Sequence, residues 1–476
     1  MNKKVILWFR QDLRLHDNEA LRDALLSGSE ILPIYVFDER VFNGKTSFGF
    51  RKTDKFRAKF VIECVENLRQ NLEKIGLGLV VRVGKPEEII YDLAKEHKTS
   101  WIFCNRERTQ EELDVQDALE SNLWSIGQEI RYSRGKMLYY TADLPFPVTH
   151  APDTFSTFRK EVEKFVDVRE PLSLPNVLPH LVQIEDQGSI PSLEEFGFTQ
   201  DEIEMSQNSP FKGGEDAALA RLRHYFWDTD LVSTYKKTRN EMLGLDYSSK
   251  LSTWLSHGCI SPKLIYSELK KYEKERTKND STYWLFFELL WRDFFRLMGK
   301  KHGNSIFKKG GTKKEPRNDL SDNLSLFKIW AEGRTGYPLV DANMKELNET
   351  GFMSNRGRQN VASFLVNDLK VNWQIGGEYF ESLLIDYDPC SNYGNWNYIA
   401  GIGSDPRENR YFNVSTQSKR YDTHGTYLSH WIPELKSLCP DKIHAPFELS
   451  KDEQKELNFI LGKDYPKACV KLKSTA

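Results

Sequence analysis

VILWFRQDLRLHD, residues 5–17, opens with five apolar, β-favouring residues and then turns abruptly to charge. Such a run is too short for a helix and reads as a strand. The same unit recurs down the chain. NEALRDALLSG follows as a helical pattern, then the strand ILPIYVF, a long amphipathic stretch from Asp54 to Gly76, and LGLVVRVG. KPEEIIYDLAKEHK, WIFCN, TQEELDVQDALESNLWSIG and QEIRYS complete the series. Five strands separated by helices give an α/β domain with a doubly wound parallel sheet over residues 1–135. Such sheets often hold a dinucleotide at the first strand-to-helix turn, but here that turn is FRQDLRLHD and contains no glycine. The GxGxxG site is therefore missing, and a nicotinamide enzyme of the standard kind is disfavoured.

Beyond the sheet the pattern changes twice. Pro145, Pro147, Pro152, Pro171, Pro175, Pro179, Pro191 and Pro210 punctuate a stretch with only short helical fragments such as FSTFRKEVEKFV, so residues 136–212 read as a connector. After Gly213-Gly214 the periods are helical almost throughout, and residues 213–476 read as an all-helical domain. A chain of 476 residues is long enough for two domains with sizeable cores. Eight of the eleven Trp fall after residue 220, which concentrates flat ring systems in the helical half, either as core or as receptor surface.

Composition removes several function classes. A net charge of -2 is wrong for a protein that coats nucleic acid, so any DNA contact must be local. The six Cys show no CxxC and no spacing against His, which points neither to zinc nor to a disulfide framework, and no metal is expected. The N-terminus has no apolar signal region and no acid-poor amphipathic leader, and no apolar run approaches the roughly 18 residues a span needs. A cytoplasmic monomer is the expectation.

Four constellations carry chemistry. In YSSKLSTWLSHGCISP, residues 247–262, Ser248, Ser249, Lys250, Leu251 and Ser252 precede a helical run, as an ordinary cap or as a phosphate cradle. In FELLWRDFF, residues 287–295, Glu288, Trp291 and Arg292 stand at i, i+3 and i+4, either as a structural ion pair or as an acid beside a flat ring that receives a base. NRGRQN, residues 355–360, sets Arg356 and Arg358 near a helix start. IDYDPCSNYGNWNYIAGIGSD, residues 385–405, gathers Asp386, Asp388, Asn392 and Trp396 with almost no aliphatic content and no regular period. A cation opposite these carboxylates is a poor choice for stability alone and a plausible way to tune a cofactor. Lys300–Arg317 adds seven Lys/Arg against one Glu, a solvated loop or a phosphate contact.

From WFRQDLRLHDNEAL through GGEDAALARLRHYFW, YKKTRNEMLGLDYSSKLSTWLSHGCISP, FELLWRDFFR, TGYPLVDANMKELNETGFMSNRGRQNVASFL and LIDYDPCSNYGNWNYIAGIGSDPRENRYFN, the chain resembles the photolyase/cryptochrome family end to end, and DASH cryptochromes most closely. The resemblance implies an α/β domain and a connector leading to a helical FAD-binding domain. It implies that Asp386 and Asp388 meet polar groups of FAD, that Asn392 faces flavin N5, and that Arg358 pairs with Asp386 beside the ring. Tyr235 and the Ser248–Ser252 stretch match phosphate and adenosine contacts, and Arg292 another phosphate contact. Glu288 would hydrogen-bond a flipped cyclobutane pyrimidine dimer and Trp291 stack on it, with Asn355 nearby. Glu107 in CNRERT matches the carboxylate that holds a methenyltetrahydrofolate antenna.

The implied reaction is a light-driven electron loan from reduced FAD to the dimer, chiefly in single-stranded DNA. Tyr398 and Gln359 stand where duplex-acting photolyases carry Trp and Met, which fits that preference. Trp396 and Trp373 match the first two members of the photoreduction chain, but the third position falls on Leu320, with Trp330 as a substitute. The rival reading is a blue-light receptor with little repair. Signalling relatives carry a long tail, whereas this chain stops soon after DYPKACVKLKSTA, which favours repair.

Overall fold

A computed structural model of the chain describes residues 3–175, 180–403 and 411–472. Residues 176–179 of the connector, 404–410 at the end of the Asn- and Gly-rich motif, and the last four residues of DYPKACVKLKSTA lie outside the described residues. The chain forms two compact units. One takes Met1–Lys236, Ser249–Asn304 and Ile385–Ser391, the other Lys237–Ser248, Ser305–Leu384 and Asn392–Ala476.

The first unit is built on the expected sheet. Strands β1 (Lys4–Phe9), β2 (Glu30–Asp38), β3 (Val80–Gly84), β4 (Trp101–Asn105) and β5 (Glu129–Ser133) are parallel and run in the order β3-β2-β1-β4-β5. In β1, every residue from Val5 to Phe9 is buried, so both faces need apolar side chains and the strand reads as a continuous run. Ile6 and Trp8 pack with Ile34, Ile102, Leu119 and Leu123 in one core. The helices between strands start on sequence-encoded caps. Asn18 accepts from the Leu21 amide at 3.1 Å, and Thr109 with Glu112 closes a capping box.

A short extra strand, β6 (His180–Leu181), pairs with Glu30 and Ile31 of β2. Two residues are too few for a detectable period, and sequence reasoning assigned them to the connector.

The connector and the first part of the helical region also contribute helices to this unit, among them Phe155–Phe165, Glu215–Arg223, Pro262–Glu275 and Asp280–His302. The second unit is helical, with Pro338–Thr350, Asn355–Ser363 and Trp373–Leu383 among its elements and a core containing Leu339, Ala342, Tyr427, Leu428, Ile432 and Leu435. One element departs from expectation. The 385–405 stretch shows no period, yet Pro389–Ile399 is a helix. Its start is encoded by Asp388, whose carboxylate accepts the Ser391 amide at 2.8 Å, and by Pro389 in the first turn. The apolar period is hidden because polar Asn392 and Asn397 are as buried as Tyr393 and Trp396.

Candidate functional site

The sheet order reverses between β1 and β4, so a crevice opens beyond their carboxyl ends, the usual ligand position in such sheets. In this protein the glycine-free turn is tied to the end of β4. Asp12 hydrogen-bonds Asn105, and its carboxylate also accepts the Arg10 amide at 2.8 Å. Arg14 is buried and donates to the carbonyls of His16, Asp17, Gly135 and Gly258. Glu107, just past β4, is 2% exposed, ion-paired with Lys136, and receives the Arg296 guanidinium at 3.8 Å. Burial pushes the Glu107 carboxyl up, but Lys136, Arg10 and Arg296 together outweigh it and hold the group below its ordinary range.

Arg296 extends this network. Its Nη1 donates to Asp388 Oδ2 at 2.7 Å, with both side chains buried. Burial raises the Asp388 carboxyl, yet Arg296 and then Arg292 pull it below the usual range. Arg292, one turn earlier on Asp280–His302, donates to the carbonyls of Lys136 at 2.7 Å and Leu255 at 3.2 Å. Burial, reinforced by Arg296, depresses its guanidinium to about 10. Arg292 is thus a cation whose hydrogen bonds go to neutral carbonyls, a setting that favours an added anion.

Leu255 belongs to the short helix Ser252–Ser256, so Arg292 reaches the serine-rich stretch. Lys250 there is buried and holds a left-handed φ of 59°. Ser252 donates to Asp386 Oδ2 at 2.8 Å, joining two motifs 134 residues apart in the chain. The Thr253 hydroxyl is fully buried and finds no hydrogen-bond partner among the described residues. Tyr235 is also buried in this unit.

His257 closes the segment, its Nε2 bonding the Ile385 carbonyl at 2.8 Å. Burial, the largest cause, depresses its imidazole to about 4. The unfolded chain takes up a proton near 6.5 that the folded protein refuses until about 4, so stability should fall by about 3 kcal/mol as pH drops through that window. Denaturant titrations at stepped pH check this, and His257→Gln should flatten the slope.

On Asp280–His302, the stripe of Glu288, Trp291 and Arg292 is partly exposed although most of the helix is buried. Trp291 is held by Phe155, which stacks on it at 3.8 Å and 8°, with Phe294 and Phe295 around it. The indole is therefore braced by neighbouring aromatic rings.

In the second unit, Asn392 Nδ2 donates to the Gly377 carbonyl at 3.0 Å. Arg358 donates to the Met353 carbonyl, and Arg356 bridges Gln359 and Asn240. Asn355 is exposed at the start of its helix, and Tyr398 is partly exposed. Trp396, Trp373 and Trp330 are all buried. Phe380 meets Trp396 at 5.2 Å and Trp330 at 6.2 Å. Gly376 is required by Trp396. A Cβ there would strike the indole and come within 2.6 Å of Leu365 Cδ2. Gly376→Ala should cost about 1–3 kcal/mol and displace Trp396, readable as a lower melting temperature with an altered tryptophan emission.

Residues 5–176 match the family described as DNA photolyase, and 284–476 match the FAD binding domain of DNA photolyase. The chain belongs to the photolyase/cryptochrome family, in its DASH branch. A Cryptochrome DASH from Synechocystis sp. is 50% identical over 98% of this chain and 95% of its own length. The crystal structure of Synechocystis sp. PCC6803 cryptochrome superposes with a TM-score of 0.94 at 50% identity, covering 98% of this chain and 96% of that one. A bacterial class III photolyase from Agrobacterium tumefaciens superposes with a TM-score of 0.86 at 28% identity, covering 99% and 95%.

The donor set suits the FAD of this family. The orphaned Thr253 hydroxyl, the carbonyl-bound Arg292 cation and the buried Lys250 are what a pyrophosphate needs. Three contributors escaped sequence reasoning. Arg296 was signalled by its place four residues after Arg292 in an apolar helix. Lys136 and Phe155 gave no local signal, since each acts across more than 25 residues.

Proposed function

We propose that this DASH-branch flavoprotein repairs cyclobutane pyrimidine dimers, chiefly in single-stranded or locally open DNA, under blue light. Bound FAD supplies the excited electron donor. The observation that carries the reading is the composition of Asp280–His302, where Glu288 and the braced, partly exposed Trp291 stand beside Arg292. Trp291 offers a flat face on which an extruded dimer stacks, and Glu288 a carboxyl to hydrogen-bond its base edges. Arg292, Tyr235 and Ser248–Ser252 hold the diphosphate and adenosine, Asp386 and Asp388 the flavin and ribityl polar groups, and Asn392 faces flavin N5, with Arg358 keeping positive charge at the ring. Asn355, Gln359 and Tyr398 line the substrate side.

Glu107 holds a methenyltetrahydrofolate antenna in the crevice beyond β4. With these roles goes a reading of 1–135 as an antenna-binding domain, 136–212 as a linker and 213–476 as an FAD-binding domain. No helix among the described residues is long and apolar enough to cross a membrane. Cys64 and Cys259 lie buried with sulfurs 3.4 Å apart, and a cytoplasmic location belongs to this reading. A monomer suffices for this chemistry.

The test is to illuminate the reduced holoprotein with dimer-containing oligonucleotides, single- and double-stranded, and follow dimer loss against a dark control. Light-dependent loss mainly in single strands is the expected result. Flavin that photoreduces while both substrates persist would move the assignment to a blue-light receptor.

A further inference from the structure

The helix Trp373–Leu383 presents Trp373, Gly377 and Glu381 at i, i+4 and i+8, one stripe along its length. Tyr393 lies along that stripe. Its ring meets Trp373 edge-on, with centroids 6.2 Å apart and planes at 78°. At Gly377, an added Cβ would sit 3.5 Å from Tyr393 Cε1 and 3.6 Å from Trp396 Cδ1, so the bare backbone lets both rings approach. At the far end the phenol donates to Glu381 Oε2 at 2.9 Å. Phe307 packs on the ring at 4.6 Å. A buried phenol therefore touches an indole at one end and a partly exposed carboxylate at the other.

We propose that Tyr393 is the redox-active end of the electron path in this chain, giving its electron to Trp373 and its phenolic proton to Glu381. The inference rests on the light-driven flavin chemistry proposed above. Once Trp396 has given one electron to the photoexcited oxidised flavin and Trp373 has refilled it, Trp373 is left as a cation. Tyr393 returns one electron to Trp373, its O–H bond breaks, and the proton moves to Glu381 Oε2. The products are a neutral tyrosyl radical and a protonated Glu381, so no charge is stranded in the interior and no further reactant is needed.

The alternatives at the third position and beside Trp330 are poorer. Leu320, at the third position of the chain, has no redox chemistry. Trp330 is 0% exposed and its Nε1 donates to the Val361 carbonyl, so oxidising it leaves a cation in the core. Tyr379, beside Trp330, donates to the Asn348 amide oxygen at 2.6 Å, which is not a base near neutral pH.

The test uses the full-length, FAD-loaded protein, illuminated without added reductant, freeze-trapped for electron paramagnetic resonance and followed by transient absorption. A tyrosyl signal that narrows on labelling with ring-deuterated tyrosine is expected alongside flavin reduction. Tyr393→Phe should lose it, and Tyr379→Phe should keep it. Glu381→Gln retains the phenol but removes the proton acceptor, and should leave the oxidising equivalent on tryptophan; it keeps the test decisive if Tyr393→Phe fails to hold FAD. A signal that survives Tyr393→Phe, or that disappears with Tyr379→Phe, overturns the assignment, as does flavin reduction in the wild type accompanied by tryptophan radicals alone. A flavin that does not respond to blue light at all overturns the function on which the inference rests.

Discussion

Arg296→Ala is expected to cost about 3–5 kcal/mol of stability and to strip FAD from the protein. Arg296 is 4% exposed and stands between two buried carboxylates, Asp388 at 2.7 Å and Glu107 at 3.8 Å. Its removal leaves Asp388, 5% exposed, without its main counter-charge. The group must then take up a proton or stay charged at high cost. Either response disturbs the start of Pro389–Ile399, because the same carboxylate caps that helix through the Ser391 amide. Urea unfolding gives the stability loss, and the flavin-to-protein absorbance ratio gives the cofactor loss. The double variant Arg296→Met with Asp388→Leu should be less destabilised than Arg296→Ala alone, since the charge nearest Arg296 goes with its partner while Glu107 keeps Lys136. Equal losses in the two would show that packing or the Ser391 cap, and not the uncompensated charge, carries the effect.

Glu288→Ala should lower light-driven dimer splitting by about a hundredfold while FAD stays bound. Glu288 lies on the partly exposed stripe with Trp291, one turn before the Arg292 cation. Its loss should remove the hydrogen bonding proposed for the substrate while the residues assigned to the phosphates stay in place. Turnover on single-stranded substrate, normalised to bound flavin, measures the effect, and an unchanged rate would defeat the role assigned to this carboxyl. Glu288→Gln, which retains hydrogen-bonding capacity, should fall between the two.

The sheet was legible because β1, β2 and β4 are nearly continuous apolar runs buried on both faces, while β3 and β5, more exposed, were found by their place between helical patterns. β6 was not, because two residues carry no period. Ser252 and Asp386 were identified separately from their motifs, and nothing local announced that they hydrogen-bond across 134 residues. The helix at Pro389–Ile399 was hidden for a different reason. Its buried face is made of Asn392, Tyr393, Trp396 and Asn397, so hydrophobic periodicity looks for the wrong chemistry there. Arg296 illustrates a third limit. A charge in an apolar helix is visible in sequence, but its carboxylate partners lie in segments far from it in the chain.

The helix Asp280–His302 holds the residues assigned to the damaged base and those that bind charge on one continuous rod. Side chains along it are replaceable one at a time, but length is not. Gaining or losing a single residue between Glu288 and Arg296 would turn one set against the other by about 100°. Descendants of this chain are therefore free to vary the chemistry of that segment far more readily than its residue count.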